Sequence, residues 1–188
     1  MEIEQEKALV ERAASDSSAF GRLYDEHYGR IFGYVLLRTA SVADTQDITS
    51  EVFLKALLNI KRFKWRGLPF SAWLYRIAGH EIANKYRYDG RRKLLARELE
   101  ISLSIAGDNE EELAEAERRL SAHADFKAIH AGLSRLPVAY QEVITLRFFE
   151  KKSIEEIGRI TGKREGTIKS LLHRGLRRLR KLMEQNED

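Results

Sequence analysis

Apolar residues recur along most of this chain at steps of three and four, which is the spacing of amphipathic α-helices. The clearest stripe begins at Phe20, lasts four turns and follows Asp16 and Ser17, which favour helix starts. Its further members are Leu23, Tyr24, Tyr28, Ile31, Phe32, Val35 and Leu36. Because there are only two prolines and no sustained polar–apolar alternation, the sequence predicts an all-α fold.

Two further helices are predicted to complete an N-terminal bundle. One begins at Ser41, with Asp44 three residues later as a capping acid. Its inward positions are Ile48, Val52, Phe53 and Ala56. The other begins near Phe70 and is predicted to stop near Asp89 and Gly90. Its inward positions are Leu74, Ile77, Ala78 and Ile82.

The composition changes after the bundle. Residues 95–124 contain no aromatic side chain, cluster their acids and include the chain-breaking stretch "AGDN", so they are predicted to form a linker. From Asp125 the helical period returns, at Phe126, Ile129, Leu133 and Leu136. The predicted organisation is therefore two small helical domains, residues 1–94 and 125–188, joined by an acidic linker.

The end of the chain predicts a helix-turn-helix. Ser153 and Glu156 have the spacing of a capping box, and Gly162 stands where a tight turn needs positive φ. In the longer helix that follows, the positions predicted to face the core are Ile168, Leu171, Leu172, Leu176, Leu179 and Leu182. The polar positions predicted to lie elsewhere are Lys169, Ser170, His173, Arg174, Arg177 and Arg178. Such a helix can enter the DNA major groove with its N-terminal half while its cations contact phosphates.

Composition and charge narrow the function classes. The 188 residues contain no cysteine, which excludes disulfides and thiolate metal sites, and no apolar run is long enough to span a membrane. The charged N-terminal stretch does not resemble a secretory signal, so we expect a soluble cytoplasmic protein without membrane insertion. The net charge is +4 for residues 1–94, −5 for residues 95–124 and +5 for residues 125–188. Two basic blocks around an acidic one are expected of a chain that contacts a polyanion at two places.

Residues 61–87 interleave basic and aromatic side chains. This composition is used where unpaired bases stack on aromatic faces and a cationic groove holds the backbone. Trp73 has the spacing of a core residue, whereas Trp65, beside Gly67 and Pro69, is predicted to be exposed.

Asp44, Asp47 and Glu51 share one helix stripe, which is predicted to be solvated or to face a partner rather than to bind metal. The five histidines lack zinc-ligand spacing, and the sequence has neither a phosphate-binding glycine loop nor a nucleophile elbow. We therefore expect neither an enzyme nor a cofactor or metal site.

Both ends of the chain resemble the extracytoplasmic-function sigma factors of bacterial RNA polymerase, which consist of helical regions 2 and 4. The motifs that carry the resemblance in region 2 are "AFGRLYDEHYGRIFGY", "DTQDITSEVFLKAL" and "FSAWLYRIAGHEIANKYR". In region 4 it extends from "LSRLPVAYQEVITLRFFEKKSIEEIG" to "RITGKREGTIKSLLHRGLRRLRK". Four residues depart from the family pattern. Ser50 stands where glutamine is usual, His80 where asparagine is usual, Lys163 where an apolar residue is usual, and Gly175 where alanine is usual.

The resemblance implies roles for three sets of residues. Those that would bind core RNA polymerase are Asp44, Asp47, Glu51, Phe53 and Lys55. Those that would hold the −35 element are Arg164, Lys169, Ser170, His173, Arg174, Arg177 and Arg178. Those that would capture the −10 strand are Lys61, Arg62, Lys64, Trp65, Arg66, His80, Asn84, Lys85 and Arg87.

The implied partners are the clamp helices and flap of core polymerase, promoter DNA and an anti-sigma factor. The linker would run through the polymerase toward its template-strand and RNA-exit channels. The alternative is an ordinary helix-turn-helix transcriptional regulator whose N-terminal bundle serves as an interaction domain. It explains the C-terminal helix equally well, but leaves the basic aromatic segment and the acidic stripe without a role.

Overall fold

The computed structural model of the chain describes residues 3–39, 41–65, 68–99 and 132–184, with residues 89–99 as backbone only. All regular structure in these ranges is helical, as predicted. The first four α-helices are α1 (Ile3–Ala13), α2 (Ser17–Thr39), α3 (Val42–Asn59) and α4 (Phe70–Leu99), with a 3-10 turn at Ile60–Arg62. The later ones are α5 (Val138–Ile144), α6 (Ile154–Thr161) and α7 (Glu165–Glu184), with a π turn at Thr145–Phe149. Within the described ranges, no helix combines the length and the apolar character that crossing a bilayer requires.

The N-terminal bundle forms largely as predicted. α2, α3 and α4 pack on one another around side chains without solvent exposure, among them Leu23, Ile31, Val52 and Leu74. The Ser41 hydroxyl accepts the Asp44 backbone N–H at 3.2 Å, which caps the start of α3.

Helix α1 is not predicted by the sequence analysis. It packs on α2 and, more lightly, on α4, and it buries Leu9, Val10 and Ala13. Its apolar stripe is short and lies within a charged stretch, so the pattern alone gives little signal. The helix is stabilised by its packing on the bundle.

The prediction that the third bundle helix stops near Asp89 and Gly90 is wrong. The backbone of α4 continues through both residues to Leu99, beyond residue 94. A glycine within a helix costs only about 1 kcal/mol, which the good helix formers after it offset. Of the predicted linker, residues 100–124 lie outside the described part of the chain, as do Phe126 and Ile129.

The helix-turn-helix forms as predicted. The Ser153 hydroxyl accepts the Glu156 N–H at 3.1 Å and the Glu156 carboxylate accepts the Ser153 N–H at 2.7 Å, so both halves of the capping box are present. Gly162 adopts φ of 72° in the turn between α6 and α7. Leu176 differs from the prediction because it is exposed, and the buried position beside it is Gly175.

The two domains contact each other through polar groups. The Arg76 guanidinium on α4 donates to the backbone oxygens of Ile160 at 3.0 Å and Arg159 at 2.8 Å, at the C-terminal end of α6. The Tyr75 hydroxyl donates to the Glu150 carboxylate, which lies just after the π turn. The backbone oxygens of Ile160 and Arg159 lie at the negative end of the α6 dipole, so the positive charge of Arg76 interacts favourably with them.

Candidate nucleic-acid and polymerase interfaces

The predicted duplex-binding residues share one exposed surface. Six lie on α7 and Arg164 directly precedes it, and the side chains of all seven are exposed. The Arg174 Nε donates to the Ser170 backbone oxygen at 3.3 Å, which orients its side chain along the helix. This exposed basic surface has the form that a recognition helix presents to a major groove.

The opposite side of α7 packs closely against α5. A Cβ atom added to Gly175 would lie 3.0 Å from Ile144 Cδ1 and 3.2 Å from Tyr140 Cβ. The two helices can therefore approach closely at this position because Gly175 has no side chain. Lys163, in the turn, lies with its Nζ 3.4 Å from the Glu142 carboxylate, also on the α5 side.

A basic groove of about 800 Å³ lies between α3, the loop before α4, α4 itself and the C-terminal end of α6. Its basic lining residues are Lys55, Arg62, Lys64, Arg76, His80 and Arg159. Phe63 and Trp73 supply aromatic faces. Cations beside aromatic rings form the arrangement that binds single-stranded nucleic acid.

The aromatic wall of the groove is part of one cluster of rings in edge-on and tilted contact. Phe63 lies 4.8 Å from Trp73 and 5.7 Å from Phe70, and Trp65 packs edge-on against it at 6.3 Å, all between ring centroids. Both tryptophans are half-buried. Trp73 lines the groove and Trp65 does not, although the sequence predicted Trp65, beside Gly67 and Pro69, to be the exposed ring.

The residues predicted for the −10 strand are not all brought together. Arg62, Lys64 and His80 line the groove, whereas Lys61, Trp65 and Arg87 lie outside its lining, and Arg66 lies outside the described residues. Asn84 and Lys85 line a second, shallower depression with Asp47, Glu51, Glu81 and Tyr88. Arg76 was not among the residues predicted for the −10 strand, and Trp73 was predicted to lie in the core. The basic and aromatic composition of residues 61–87 was the available signal for both.

The acidic stripe on α3 lies beside lysines of the bundle. Asp44 lies 2.7 Å from the Lys85 Nζ, and Lys55 bridges Glu51 at 2.9 Å and Glu81 at 2.7 Å. The hydrogen bond to Glu81 is the main cause that raises the pKa of Lys55 above its ordinary value. Asp47 is exposed.

Phe53 requires a correction. It was predicted to contact polymerase, but its side chain is only 3% exposed. Its ring lies 4.7 Å from that of Tyr24, so it belongs to the bundle core. The helical period had already placed Phe53 on the inward face of α3, and the structure agrees with that assignment.

Comparison with known proteins agrees with this arrangement. Residues 23–92 match the family profile described as Sigma-70 region 2, and residues 126–179 match the one described as Sigma-70, region 4. The ECF RNA polymerase sigma factor BldN of Streptomyces coelicolor is 36% identical over 93% of this chain, which spans 64% of BldN. The RNA polymerase sigma factor YlaC of Bacillus subtilis is 30% identical over 88% of this chain and 92% of its own length.

Two solved structures share the fold. CnrH in complex with the cytosolic domain of CnrY superimposes with a TM-score of 0.68 at 19% identity, covering 96% of this chain and 97% of CnrH. The sigma factor RpoE of Bartonella quintana, in complex with the anti-sigma factor NepR, also gives 0.68, at 21% identity over 88% of this chain and 96% of RpoE. With regions 2 and 4 both matched over most of the chain, this protein belongs to the extracytoplasmic-function sigma factors.

Proposed function

We propose that this chain binds core RNA polymerase, recognises −35 and −10 promoter elements and directs transcription initiation at a stress- or signal-responsive set of genes. The observation that carries the proposal is that one chain has two different basic surfaces, one on an exposed helix face and one in a groove with aromatic walls. The exposed cations of α7 suit duplex DNA, and the basic aromatic groove suits a separated strand. Sigma factors are initiation factors rather than enzymes, and polymerase supplies the chemistry.

We assign residues 1–94 to core and −10 binding, residues 95–124 to the linker and residues 125–188 to −35 binding. The −10 surface consists of the predicted residues that line the groove, Arg62, Lys64 and His80. We add Trp73 and Arg76, which were not predicted for this role but also line the groove. The polymerase surface is the acidic stripe on α3, with Asp47 as its exposed member. The place of action is the cytoplasm, where promoter DNA and polymerase are found.

We also propose an anti-sigma factor as regulatory partner. The support is that CnrH and the RpoE of Bartonella quintana, which share this fold, were solved with CnrY and with the anti-sigma factor NepR, respectively. Pull-down with a candidate anti-sigma protein, followed by loss of transcription on its addition, tests this partner.

The function itself is tested by mixing the purified protein with core RNA polymerase and a library of random-sequence duplex DNA. We expect transcripts that start a fixed distance downstream of one enriched pair of motifs. Core polymerase alone is the control. If the protein binds duplex DNA but yields no transcript with core polymerase, the chain acts as an ordinary helix-turn-helix regulator.

A further inference from the structure

Glu6 is a buried acid on the first helix. Its side chain is oriented into the bundle and the residue is 6% exposed. One carboxylate oxygen accepts the Phe70 backbone N–H at 3.1 Å, and the other lies 3.1 Å from the His27 Nε2. An acid buried at this depth requires partners, and it finds them on α2 and α4.

The backbone N–H that Glu6 accepts belongs to the first residue of α4. The first N–H groups of a helix have no partner within the helix, and a carboxylate beside them also interacts favourably with the helix dipole. The preceding residue, Pro69, has no side-chain acceptor that would cap the helix. Glu6 therefore supplies from α1 the cap that the local sequence lacks.

Burial by itself raises the pKa of the Glu6 carboxyl. The adjacent His27 imidazole, the Phe70 N–H and the positive charge of Lys152 outweigh burial and hold the pKa below its ordinary value. The carboxylate is therefore ionised at neutral pH, and its charge is available to the start of α4.

Phe70 links this cap to the groove. Its ring lies 5.6 Å from that of His27 on one side, and 5.7 Å from Phe63 and 5.5 Å from Trp73 on the other. Phe63 and Trp73 form the aromatic wall of the groove. A shift of Phe70 would therefore move the rings on which we propose that the strand stacks.

We propose that Glu6 is a positioning residue for strand capture: from α1 it fixes the start of α4, and through Phe70 it fixes the aromatic wall of the −10 groove. The proposal rests on the function proposed above. It concerns a residue outside positions 23–92, which the region 2 profile matches.

The intrinsic tryptophan signals of the protein report on the position of the aromatic cluster. Its two tryptophans, Trp65 and Trp73, both belong to the ring cluster around Phe63 and Phe70. Near-ultraviolet circular dichroism and acrylamide quenching of the full chain therefore report on this cluster, without label or DNA.

The experiment compares Glu6→Ala with two controls on α1. Leu9→Ala removes a buried side chain of the same helix, and Glu11→Gln removes an exposed acid. The DNA probe is a promoter duplex selected from random DNA by the wild-type holoenzyme, with permanganate reactivity of unpaired thymines as the readout of opening. Binding to the isolated −35 duplex is measured alongside.

We expect Glu6→Ala to increase tryptophan quenching and to slow opening about tenfold, while −35 duplex binding stays at the wild-type level. Glu6→Gln should recover most of the opening rate, because its amide oxygen can still accept the Phe70 N–H. Leu9→Ala and Glu11→Gln should leave the tryptophan signals of the folded protein unchanged. If Glu6→Ala fails to fold, Glu6→Asp, which withdraws the carboxylate by one methylene, takes its place.

The proposal is overturned if the substituted protein keeps wild-type quenching and opens DNA at the wild-type rate. It is also overturned if Leu9→Ala, at the same folded fraction, gives the same defect, since Glu6 would then serve stability alone. Absence of opening by the wild-type holoenzyme on any selected DNA would contradict the proposed function instead. The tryptophan comparison would still decide whether Glu6 positions the cluster.

Discussion

Lys169 and Arg174 lie on the exposed side of α7 within its N-terminal half, where side chains of a recognition helix meet base edges. Arg177 and Arg178 lie further along the helix, where contacts to phosphate are expected. The two pairs should therefore differ in what they contribute: sequence preference from the first and general affinity from the second.

We expect Arg174→Ala and Lys169→Ala to lower the discrimination between the cognate −35 duplex and a scrambled one by about 1–3 kcal/mol. Arg178→Ala is the matched control, and it should weaken both duplexes equally and reduce the salt slope by about 0.9. Fluorescence anisotropy on both duplexes across a salt series measures these quantities. Equal weakening by Arg174→Ala would identify that residue as a phosphate contact.

Trp73 and Trp65 occupy different positions relative to the groove. Because Trp73 lines the groove, Trp73→Ala should impair DNA opening more than Trp65→Ala, by about 1–3 kcal/mol if one base stacks on it. Permanganate footprinting with the holoenzyme measures the difference. A larger defect in Trp65→Ala would support Trp65 as the ring on which a base stacks and would place the strand outside the groove.

Several residue assignments depended on information that the sequence does not contain. The period of α3 placed Phe53 inside correctly, but the family resemblance assigned it to the surface. The hydrogen bond between Glu6 and Phe70 joins positions 64 residues apart, so no local pattern reveals it. Trp73 has core spacing on its own helix, yet its exposed edge depends on where the loop before α4 passes.

At the scale of the element, α3 presents acids of unequal accessibility. Asp44 and Glu51 are each in an ion pair with a lysine, whereas Asp47 is exposed. Charge reversal at the paired positions would also disturb contacts within the bundle. Asp47 is therefore the cleanest test of the polymerase surface.

We expect Asp47→Lys to weaken binding to core polymerase while the free energy of unfolding changes by no more than about 0.5 kcal/mol, the usual limit for exposed sites. Glu11→Lys, an exposed acid on α1, is the control for added positive charge. Competition binding against a reference sigma factor and urea denaturation measure the two effects. Unchanged core binding would place the polymerase surface on another face of the bundle.

Elements with local signals were predicted well. The capping box of α6 and Gly162 are specified by residues close together in sequence, so the helix-turn-helix was confirmed in detail. The continuation of α4 through Gly90 was not foreseen, because a breaker residue costs too little to stop a long helix. The π turn at Thr145–Phe149 has no simple sequence signature, although it leads to Glu150 and so to the domain contact.

At the scale of the whole molecule, the two proposed DNA-binding domains touch. Arg76 joins α4 to the end of α6, and Arg159 of α6 lines the same groove as Lys64 and His80. By their positions, the two promoter elements lie about 25 base pairs apart, or roughly 85 Å of duplex at about 3.4 Å per pair. Under the proposed function, both domains could not occupy their elements while Arg76 holds α6, so we expect promoter binding to separate them.

The absence of native cysteine allows two labels to be placed uniquely. We expect energy transfer between dyes at Leu58→Cys and Arg180→Cys, both highly exposed, to fall when the holoenzyme binds promoter DNA. Arg76→Ala should lower the transfer already in the free protein. Unchanged transfer on the promoter would show that the domains remain in contact there.

The domain contact should also respond to pH. Burial beside Tyr75 raises the pKa of Glu150, against the lowering effects of the Tyr75 hydrogen bond, Lys152 and Arg30. Glu150 therefore binds a proton more tightly when the two domains are in contact than when they are separated. The contact should strengthen as the pH falls toward 4.5, the ordinary pKa of a glutamate, and weaken as the pH rises. The pKa values of Glu6 and Glu156 are lowered instead, so protonation of these two carboxylates opposes the contacts they make and cannot produce strengthening at low pH.

Energy transfer of the same labelled protein between neutral pH and pH 4.5 measures this dependence. Glu150→Gln, which cannot ionise, should give strong transfer that no longer varies with pH. A wild-type profile that is flat over the window, or one of opposite slope, would show that Glu150 does not govern the contact.

Because α7 and α5 approach closely at Gly175, a substitution there could change the orientation of α7 without changing the residues that face DNA. An alanine methyl there would crowd Ile144 Cδ1 and Tyr140 Cβ, so these neighbours on α5 must give by a few tenths of an ångström, by side-chain rotation or by a shift between the two helices. The helix would tilt about that point, and its N-terminal end, about 15 Å away at about 1.5 Å per residue, would swing sideways across the base pairs. Two sigma factors with the same residues facing DNA, one with glycine here and one with alanine, would then prefer different promoters, and selection with Gly175→Ala would measure the change.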